Sequence, residues 1–429
     1  MSEPSFRDYL YPPDHPRVAQ IRGLDARGYA EAAKTDSFAG PMIHGWAAQY
    51  PEPFTGVTSD GVLRPGLYHL EPAPAGEEAP AAAMTSAARD LLAGLTPAQV
   101  RRLRYGVDAH EWQSWANPEF MQHDTGLRLD ELSPDVRERI LAVVEASLSP
   151  AGYGLVRNLM RINGFLGALV ELPELMNEYS YNFALYGEPS ETAPWGWQLF
   201  GHHVALNVLV AGTQLVVSPV FLGAEPDVID AGPHQGVAVF KERIALARRL
   251  MESLPGPLRE QATLFAGMQD PAMPEGRLHP GDERHLAGCF QDNRVIPYEG
   301  IPVNAMPAAA RAILDELVAD FIAVLPDGPR SARRREIAGH WDEAWFCWIG
   351  GWKGQDAFYF RLQSPVLVME LDHHTGVFLS NDTPAPFHMH TVMRTPNGND
   401  YGRALVRQHQ EADQPQEAGR FQGVGQAGS

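Results

Sequence analysis

The chain has 429 residues, of which 44% are hydrophobic and 20% are charged, as in an ordinary globular protein with a sizeable core. Its 34 Lys and Arg against 53 Asp and Glu give a net charge of −19, which argues against nucleic acids and membrane surfaces as partners. Two isolated cysteines argue against a disulfide scaffold or a cysteine-rich zinc site. The chain begins without a secretory signal and has no apolar run that would cross a membrane, so we expect a cytoplasmic protein.

The N-terminal part differs in composition from the rest of the chain. Residues 1–70 show no sustained periodicity, and residues 71–83, EPAPAGEEAPAAA, have the Pro, Ala and Glu content of a flexible linker. We therefore expect residues 1–83 to form an extension and linker that wraps the main domain or caps its site. Residues 84–429 are expected to form a single domain, and a chain beginning near Met84 to fold alone. The sequence gives no indication of an oligomeric state.

Helices are predicted in the middle of the chain. Three of them share a start signal in which Thr96, Ser133 or Ser149 caps the helix and the next residue, a proline, takes its first position. Apolar residues at helical spacing predict two more helices, over residues 237–254 and 313–325.

Strands are predicted in two groups. Residues 195–210 and 213–223 are expected to form one long β-hairpin. Four shorter strands are predicted near the C-terminus, over residues 343–351, 356–363, 366–372 and 387–394. Their short connections predict antiparallel pairing. The partial segregation of strands and helices predicts an α+β fold with a mostly antiparallel sheet, long hairpins and several helices packed against it.

An H-x-H pair lies in the last predicted strand. Because side chains alternate along a strand, His388, His390 and Arg394 face the same way, and two adjacent imidazoles commonly supply a metal with two nitrogen ligands. Glu370 and Asp372 share one face of the preceding strand. Tyr359 and Arg361 share one face of the strand before that.

A second pair of histidines lies in GHHVALN, residues 201–207. On a regular strand His203 would share its face with Asn207 and Trp197, whereas His202 would point to the other side. His203 is then the better metal ligand and His202 a supporting residue, unless a bulge at Gly201 turns both inward.

Together these patterns favour a divalent metal site over a set of core histidines, although a single buried histidine is more often a hydrogen-bonded core residue. Zinc is the favoured ion, and iron, copper and manganese are alternatives with the same ligands. The candidate metal ligands are His202, His203, His388 and His390. The candidate catalytic residues are Glu370, Asp372 and Arg394, and the candidate substrate contacts are Arg361, Asn207, Trp197 and Tyr359. The remaining histidines lack patterned neighbours, and His373 and His374 are expected to lie in a turn.

The expected activity is metal-assisted hydrolysis or lyase chemistry on a small organic molecule. A zinc-type ion with an open position lowers the pKa of a bound water to about 7, and a nearby carboxylate can take its proton. The two arginines allow an anionic substrate. Three alternatives stay open: an oxidase or oxygenase that uses the same ligands with iron, copper or manganese, a non-catalytic protein that binds a small molecule or a metal, and a hydrogen-bonded histidine core.

Four segments resemble the family catalogued as domain of unknown function 3500, found in bacteria and fungi. They are PWGWQLFGHHVALN (194–207), PVFLGAEPDVIDAGPHQG (219–236), FYFRLQSPVLVMELD (358–372) and HMHTVMRTPNGNDYG (388–402). The resemblance covers about residues 85–410, and the N-terminal 80 residues are additional to it. It implies one compact domain from residue 85 onward and implies no activity.

Overall fold

The structure, a computed structural model, describes residues 5–12 and 14–413. The α-helices in this part of the chain are α1 (Pro16–Ala19), α2 (Ala26–Ala33), α3 (Ala39–Gln49), α4 (Ala81–Ala93), α5 (Pro97–Leu103), α6 (Pro134–Ser147), α7 (Pro150–Leu169), α8 (Lys241–Ser253), α9 (Gly256–Ala262), α10 (Ala308–Phe321), α11 (Asp327–Ala338) and α12 (Arg403–Asp413). None of them is both long and apolar enough to cross a membrane.

The strands form one mixed sheet. They are β1 (Arg104–Tyr105), β2 (Leu127–Arg128), β3 (Tyr181–Tyr186), β4 (Trp195–Gly201), β5 (Val204–Ala211), β6 (Gln214–Ala224), β7 (Thr263–Phe265), β8 (Ile301–Pro302), β9 (Trp345–Gly350), β10 (Phe358–Ser364), β11 (Leu367–His373) and β12 (Met389–Arg394). Among the strands of the described residues, only β1 with β3 and β7 with β9 pair in parallel. The predicted α+β fold with a mostly antiparallel sheet is confirmed.

The three predicted helix starts are confirmed, and each has the predicted capping residue. Thr96, Ser133 and Ser149 each accept a hydrogen bond from a backbone N–H three residues later, and a proline follows each of them at the start of α5, α6 or α7. The hydroxyls satisfy N–H groups that have no partner inside the helix, which is why these residue types mark helix starts.

Two antiparallel meanders meet at the centre of the sheet. Strands β3, β4, β5 and β6 form the first, and β9, β10, β11 and β12 form the second, so that the order along the sheet is β1-β3-β4-β5-β6-β12-β11-β10-β9-β7. The seam between them is the antiparallel pair β6 and β12, in which Gly223 lies opposite His390. Segments that are more than 160 residues apart in sequence are therefore neighbours in the sheet.

The predicted hairpin over residues 195–223 is wrong in one respect, since it contains three strands instead of two. The chain reverses at His202 and His203, and Gly201 pairs with Val204 on either side of this two-residue turn. His203, the second residue of the turn, has a left-handed φ of +64°, a conformation that is uncommon for a residue other than glycine. Apolar residues lie on both sides of the turn, and no glycine-rich or proline-rich segment separates them. A prediction from the hydrophobic pattern therefore missed the turn.

Different parts of the chain pack on the two faces of the sheet. On one face, aromatic and aliphatic side chains pack on helices, as Phe360 does against Phe321 of α10. The other face is covered by the long connection 266–300, which is fastened by polar side chains of the strands. The side-chain amide of Gln363, for example, donates to the Ile296 carbonyl at 2.6 Å.

The N-terminal segment packs on the same face as this connection. Ile43, Trp46 and Val57 are buried in the main hydrophobic core, and the Trp46 ring lies 5.7 Å from that of Phe290. The backbone of Thr58 exchanges hydrogen bonds with Arg294 and Ile296. These contacts join residues 26–68 to the part of the chain that begins at Met84.

We expect a chain that begins at Met84 to unfold at a lower temperature than the full chain. It loses several buried apolar side chains, and a truncation of Trp46 alone would cost roughly 3–5 kcal/mol. Thermal unfolding followed by circular dichroism measures this difference, with a chain that begins at Ser5 as the control. Equal melting temperatures for all three chains would show that residues 84–429 fold as an independent unit.

Candidate metal centre

The two histidine motifs meet across the seam of the sheet. The Gly223 N–H donates to the His203 carbonyl at 2.7 Å, and Gly223 lies opposite His390 on β12. The rings of His203 and His390 approach each other with centroids 5.0 Å apart. A Cβ atom on Gly223 would lie 2.8 Å from His390 Cδ2 and 3.0 Å from His203 Cδ2, so only glycine leaves room for both rings.

One candidate metal site consists of His203, His388 and His390. Each offers a ring nitrogen, and the three nitrogens lie within 4.8 Å of one another. His388 Nε2 and His390 Nε2 are 3.2 Å apart. His388 Nδ1 lies 2.6 Å from the Thr375 carbonyl, which fixes the ring with Nε2 turned to its neighbours. All three residues are buried.

The electrostatics of this triad suit a metal ligand. Burial lowers the pKa of His388 and lowers the pKa values of His203 and His390 further, and the neighbouring histidines add to the effect. The rings are therefore neutral, and the neutral imidazole is the form that binds a metal ion. The donor set, three convergent neutral nitrogens, fits a divalent metal.

His202 has a different environment from its neighbour. Its Nδ1 lies 2.8 Å from the side-chain oxygen of Asn163, and its ring stacks on that of His203 with centroids 3.8 Å apart. Burial lowers the pKa of His202 to about 3. It belongs to neither of the histidine groups with metal-site geometry among the described residues. The structure gives it the position of a supporting residue.

Two histidines that the sequence reading set aside belong to a second group. His285, His374 and His390 also offer nitrogens within 4.8 Å of one another. His374 continues the series Glu370, Asp372 at a spacing of two residues. Extending the strand alternation past the end of β11 therefore predicts that His374 lies on the same face as these two carboxylates. His285 lies in the connection 266–300, where no periodic pattern marks it.

Glu370 and Asp372 both lie beside this second group, but their oxygens are engaged. Glu370 accepts hydrogen bonds from the Leu286 and Ala287 N–H groups and from the Tyr359 hydroxyl. Burial alone would raise the pKa of Glu370, yet His285, the Arg361 charge and the Tyr359 hydroxyl together lower it to about 2. Asp372 accepts from Arg284 Nε at 2.6 Å and from the Arg284 backbone N–H at 3.1 Å. Both carboxylates fasten the connection 266–300 to the sheet.

Arg394 has a structural environment. Its guanidinium is fully buried and donates to Asp292 at 2.5 Å, to Asp400 at 3.0 Å, and to the Ala287 and Gly288 carbonyls. These bonds engage all three of its nitrogens. They favour a structural role for Arg394 over the catalytic or anion-binding role expected from the sequence.

The remaining predicted substrate contacts also have partners inside the protein. Arg361 pairs with Glu299 at 2.8 Å and donates to the Pro297 carbonyl. Asn207 lies between Gln198 and the Pro219 carbonyl, and the Trp197 ring N–H donates to the Ser147 hydroxyl. None of them lines the cavity described next. Polar or large side chains on one strand face can hold neighbouring segments of the protein or contact a ligand, and the sequence does not separate the two.

A cavity of about 770 Å³ opens beside the first triad. His202, His203, His374 and His390 form one wall. Half of the lining residues come from residues 11–46, including Tyr29, Phe38 and Trp46. The volume suits a small organic molecule, and the aromatic side chains give it apolar walls beside the polar one.

Arg394→Met is expected to lower the free energy of unfolding by roughly 3–5 kcal/mol, because it leaves two buried carboxylates without a counter-charge. The metal content of the folded variant should equal that of the wild type. Chemical denaturation and elemental analysis measure the two quantities. Arg249→Met is the matched control, since Arg249 forms an exposed pair with Glu316 and should change stability by about 1 kcal/mol or less. A stable Arg394→Met protein with reduced metal content would contradict the structural role.

Gly223→Ala is expected to weaken metal binding by roughly 10–100-fold, the range found when residues that orient metal ligands are changed. The added methyl group separates the His203 and His390 rings without removing a ligand. Titration calorimetry with zinc measures the change. Gly154→Ala is the control, because a Cβ at that position of α7 meets no atom within 4 Å. Equal affinities in the two variants would show that the rings need not approach each other over Gly223.

No curated protein and no solved structure matches this chain. A family model does match, over residues 77–403, a span that contains both histidine motifs, the connection 266–300 and the whole sheet. Residues 11–46, which supply half of the cavity wall, precede the match. The chain therefore belongs to the family described as protein of unknown function (DUF3500).

Proposed function

We propose that this protein is a metal-dependent enzyme that acts on a small organic molecule by metal-assisted hydrolysis or lyase chemistry. The observation that carries the proposal is the convergence of three buried histidine nitrogens within 4.8 Å beside a cavity of about 770 Å³. His203 and His390 belong to both the triad and the cavity wall. A substrate in the cavity would therefore lie against the metal.

The ligand set supports zinc as the ion. All three candidate ligands are imidazoles, and nitrogen donors of this kind suit zinc and copper, whereas magnesium, calcium and manganese prefer oxygen ligands. Bound zinc would supply an acidified water and an electrophile for a substrate oxygen.

Glu119 is the best candidate for proton transfer. It lines the cavity, and its burial raises the pKa of its carboxyl group, although Tyr29 and Arg17 act in the opposite direction. A raised pKa brings a carboxyl group closer to the value at which it can accept and return a proton near neutral pH. Glu119 replaces Glu370 and Asp372 in this role because their oxygens are engaged by the connection 266–300.

Substrate recognition is assigned to the walls supplied by the N-terminal segment. Arg17 lines the cavity and supports an anionic group on the substrate, which Arg361 and Arg394 do not. The aromatic rings of Tyr29, Phe38 and Trp46 suit an apolar or ring-bearing portion. A cytoplasmic location is part of the proposal, in keeping with the rarity of cysteine.

An oxidase or oxygenase is the second candidate, because an all-imidazole ligand set suits copper as well as zinc. The colour of the protein separates the two. A colourless zinc protein supports hydrolysis or lyase chemistry, and a coloured copper protein supports redox chemistry.

The proposal predicts that the full chain, purified without an affinity tag, contains zinc, and that His388→Ala and His203→Ala each lower its zinc content. His202→Ala is the comparison variant: its ring lies outside the triad, so the change should lower the zinc content less than either of these changes and should act mainly on stability. Elemental analysis gives the content, and circular dichroism checks that the variants are folded. A folded wild-type protein that neither contains nor binds a transition metal would sink the proposal and favour a core of hydrogen-bonded histidines.

For catalysis, Glu119→Gln is expected to retain the metal and lose at least roughly 100-fold in turnover, the usual contribution of a general acid or base. A panel of p-nitrophenyl esters provides a first probe of hydrolysis. Glu299→Gln, a change in a half-buried carboxylate outside the cavity, is the control. Full turnover by Glu119→Gln would exclude Glu119 from proton transfer.

A further inference from the structure

A second histidine triad adjoins the first and shares one member with it. His285, His374 and His390 come from the connection 266–300, from the end of β11 and from β12. Their rings are buried, and a nitrogen of each lies within 4.8 Å of the others. The His374 and His390 rings are close neighbours, with centroids 3.8 Å apart.

Carboxylates lie behind the two rings that are new to this triad. His285 Nδ1 is 3.3 Å from a Glu370 oxygen, and His374 Nδ1 is 3.7 Å from a Glu283 oxygen. Glu370 is itself fixed by two backbone N–H groups, and Glu283 accepts from the N–H and hydroxyl of Thr375. A histidine that binds a metal usually presents its other nitrogen to such a fixed acceptor, which orients the ring and raises its basicity.

The opposite nitrogens of these rings have no hydrogen-bond partner in the described part of the chain. They are His285 Nε2, His374 Nε2 and His390 Nδ1. His374 Nε2 lies 3.2 Å from an Asp372 oxygen, but not in hydrogen-bonding geometry. A buried polar atom without a hydrogen-bond partner destabilises the folded state. In a core of hydrogen-bonded histidines these three nitrogens would form hydrogen bonds with one another. They form none in the observed geometry.

The charge around the triad also favours a cation. Glu283, Asp372 and Glu370 surround it, together with Asp282, whose Oδ1 is buried without a partner. Arg284 pairs with Asp372 and Glu283 and is the one arginine bonded to any of these four carboxylates among the described residues. A metal ion would both balance the carboxylates and satisfy the three free nitrogens.

We propose that His285, His374 and His390 bind a second divalent metal ion, so that the centre is dinuclear and His390 is the ligand that the two sites share. The proposal deepens the proposed function and rests on it. His390 Nε2 faces His388 of the first triad, whereas His390 Nδ1 is the free nitrogen of the second. Binding through both nitrogens releases the remaining ring proton of His390 to solvent.

The test is the number of zinc ions bound per chain. The full chain is stripped of metal with a chelator and titrated with zinc, and the bound zinc is counted by elemental analysis after gel filtration. We expect two ions for the wild type. The double variant His285→Ala, His374→Ala should bind one, and the double variant His203→Ala, His388→Ala should also bind one. The ion that each variant retains shows that the variant is folded.

His373→Ala is the matched control. His373 is buried next to His374 and has an unpartnered Nε2, but its ring packs against Phe358, away from both triads. The variant should bind two ions. If it loses an ion while His285→Ala, His374→Ala does not, the second site is wrong.

The remaining outcomes separate the second site from the proposed function. One ion in the wild type, unaffected by His285→Ala, His374→Ala, overturns the second site and leaves the proposed function in place. One ion that is lost in both double variants shows a single site built from all five histidines, and it also overturns the dinuclear centre. No bound zinc in the folded wild type overturns both.

Discussion

The antiparallel pairing of β6 with β12 is the constraint on which the candidate site depends. It joins two meanders that are distant in sequence and sets Gly223 opposite His390. A slip of one residue would bring Leu222 or Ala224 to that position and turn the side chains of one strand to the other face. The absence of a side chain at Gly223 matters as much as the pairing, because the rings of His203 and His390 lie against its Cα atom. The register and the glycine together place the histidine turn against the H-x-H strand.

The polar side chains on one face of the sheet have two roles. Near the seam they converge as candidate ligands, and farther along β10, β11 and β12 they fasten the connection 266–300. Glu370 shows how the two are linked, because it binds the backbone of Leu286 and Ala287 and also lies behind the His285 ring. The connection carries no helix or strand that would position His285, so buried hydrogen bonds to the sheet do so instead. Such a network is stable only when nearly all of its members are satisfied.

The sequence predicted those features that depend on local periodicity. The three capped helices, the C-terminal strands and the shared face of His388 and His390 follow from residue spacing. The turn at His202 and His203 was missed because apolar residues predominate on both sides of it, and His374 was missed because the alternation was not followed past the strand end. The position of His285 and the partners of Arg394 depend on which distant segments meet in the fold. Residue spacing predicts the face of a strand on which a side chain lies, but it does not predict which segment packs on that face.

The cavity is assembled from two parts of the chain with different relations to the family. The histidine wall belongs to the family-matched span, and half of the lining belongs to residues 11–46, which precede it. The candidate metal centre and half of the cavity lining are thus encoded in different parts of the chain. Changes in residues 11–46 can therefore reshape the cavity without disturbing the register at Gly223, whereas changes at the seam move the histidines themselves. Under the proposed function, an exchange of this short N-terminal segment would alter which molecules the cavity admits and leave the candidate metal ligands in place.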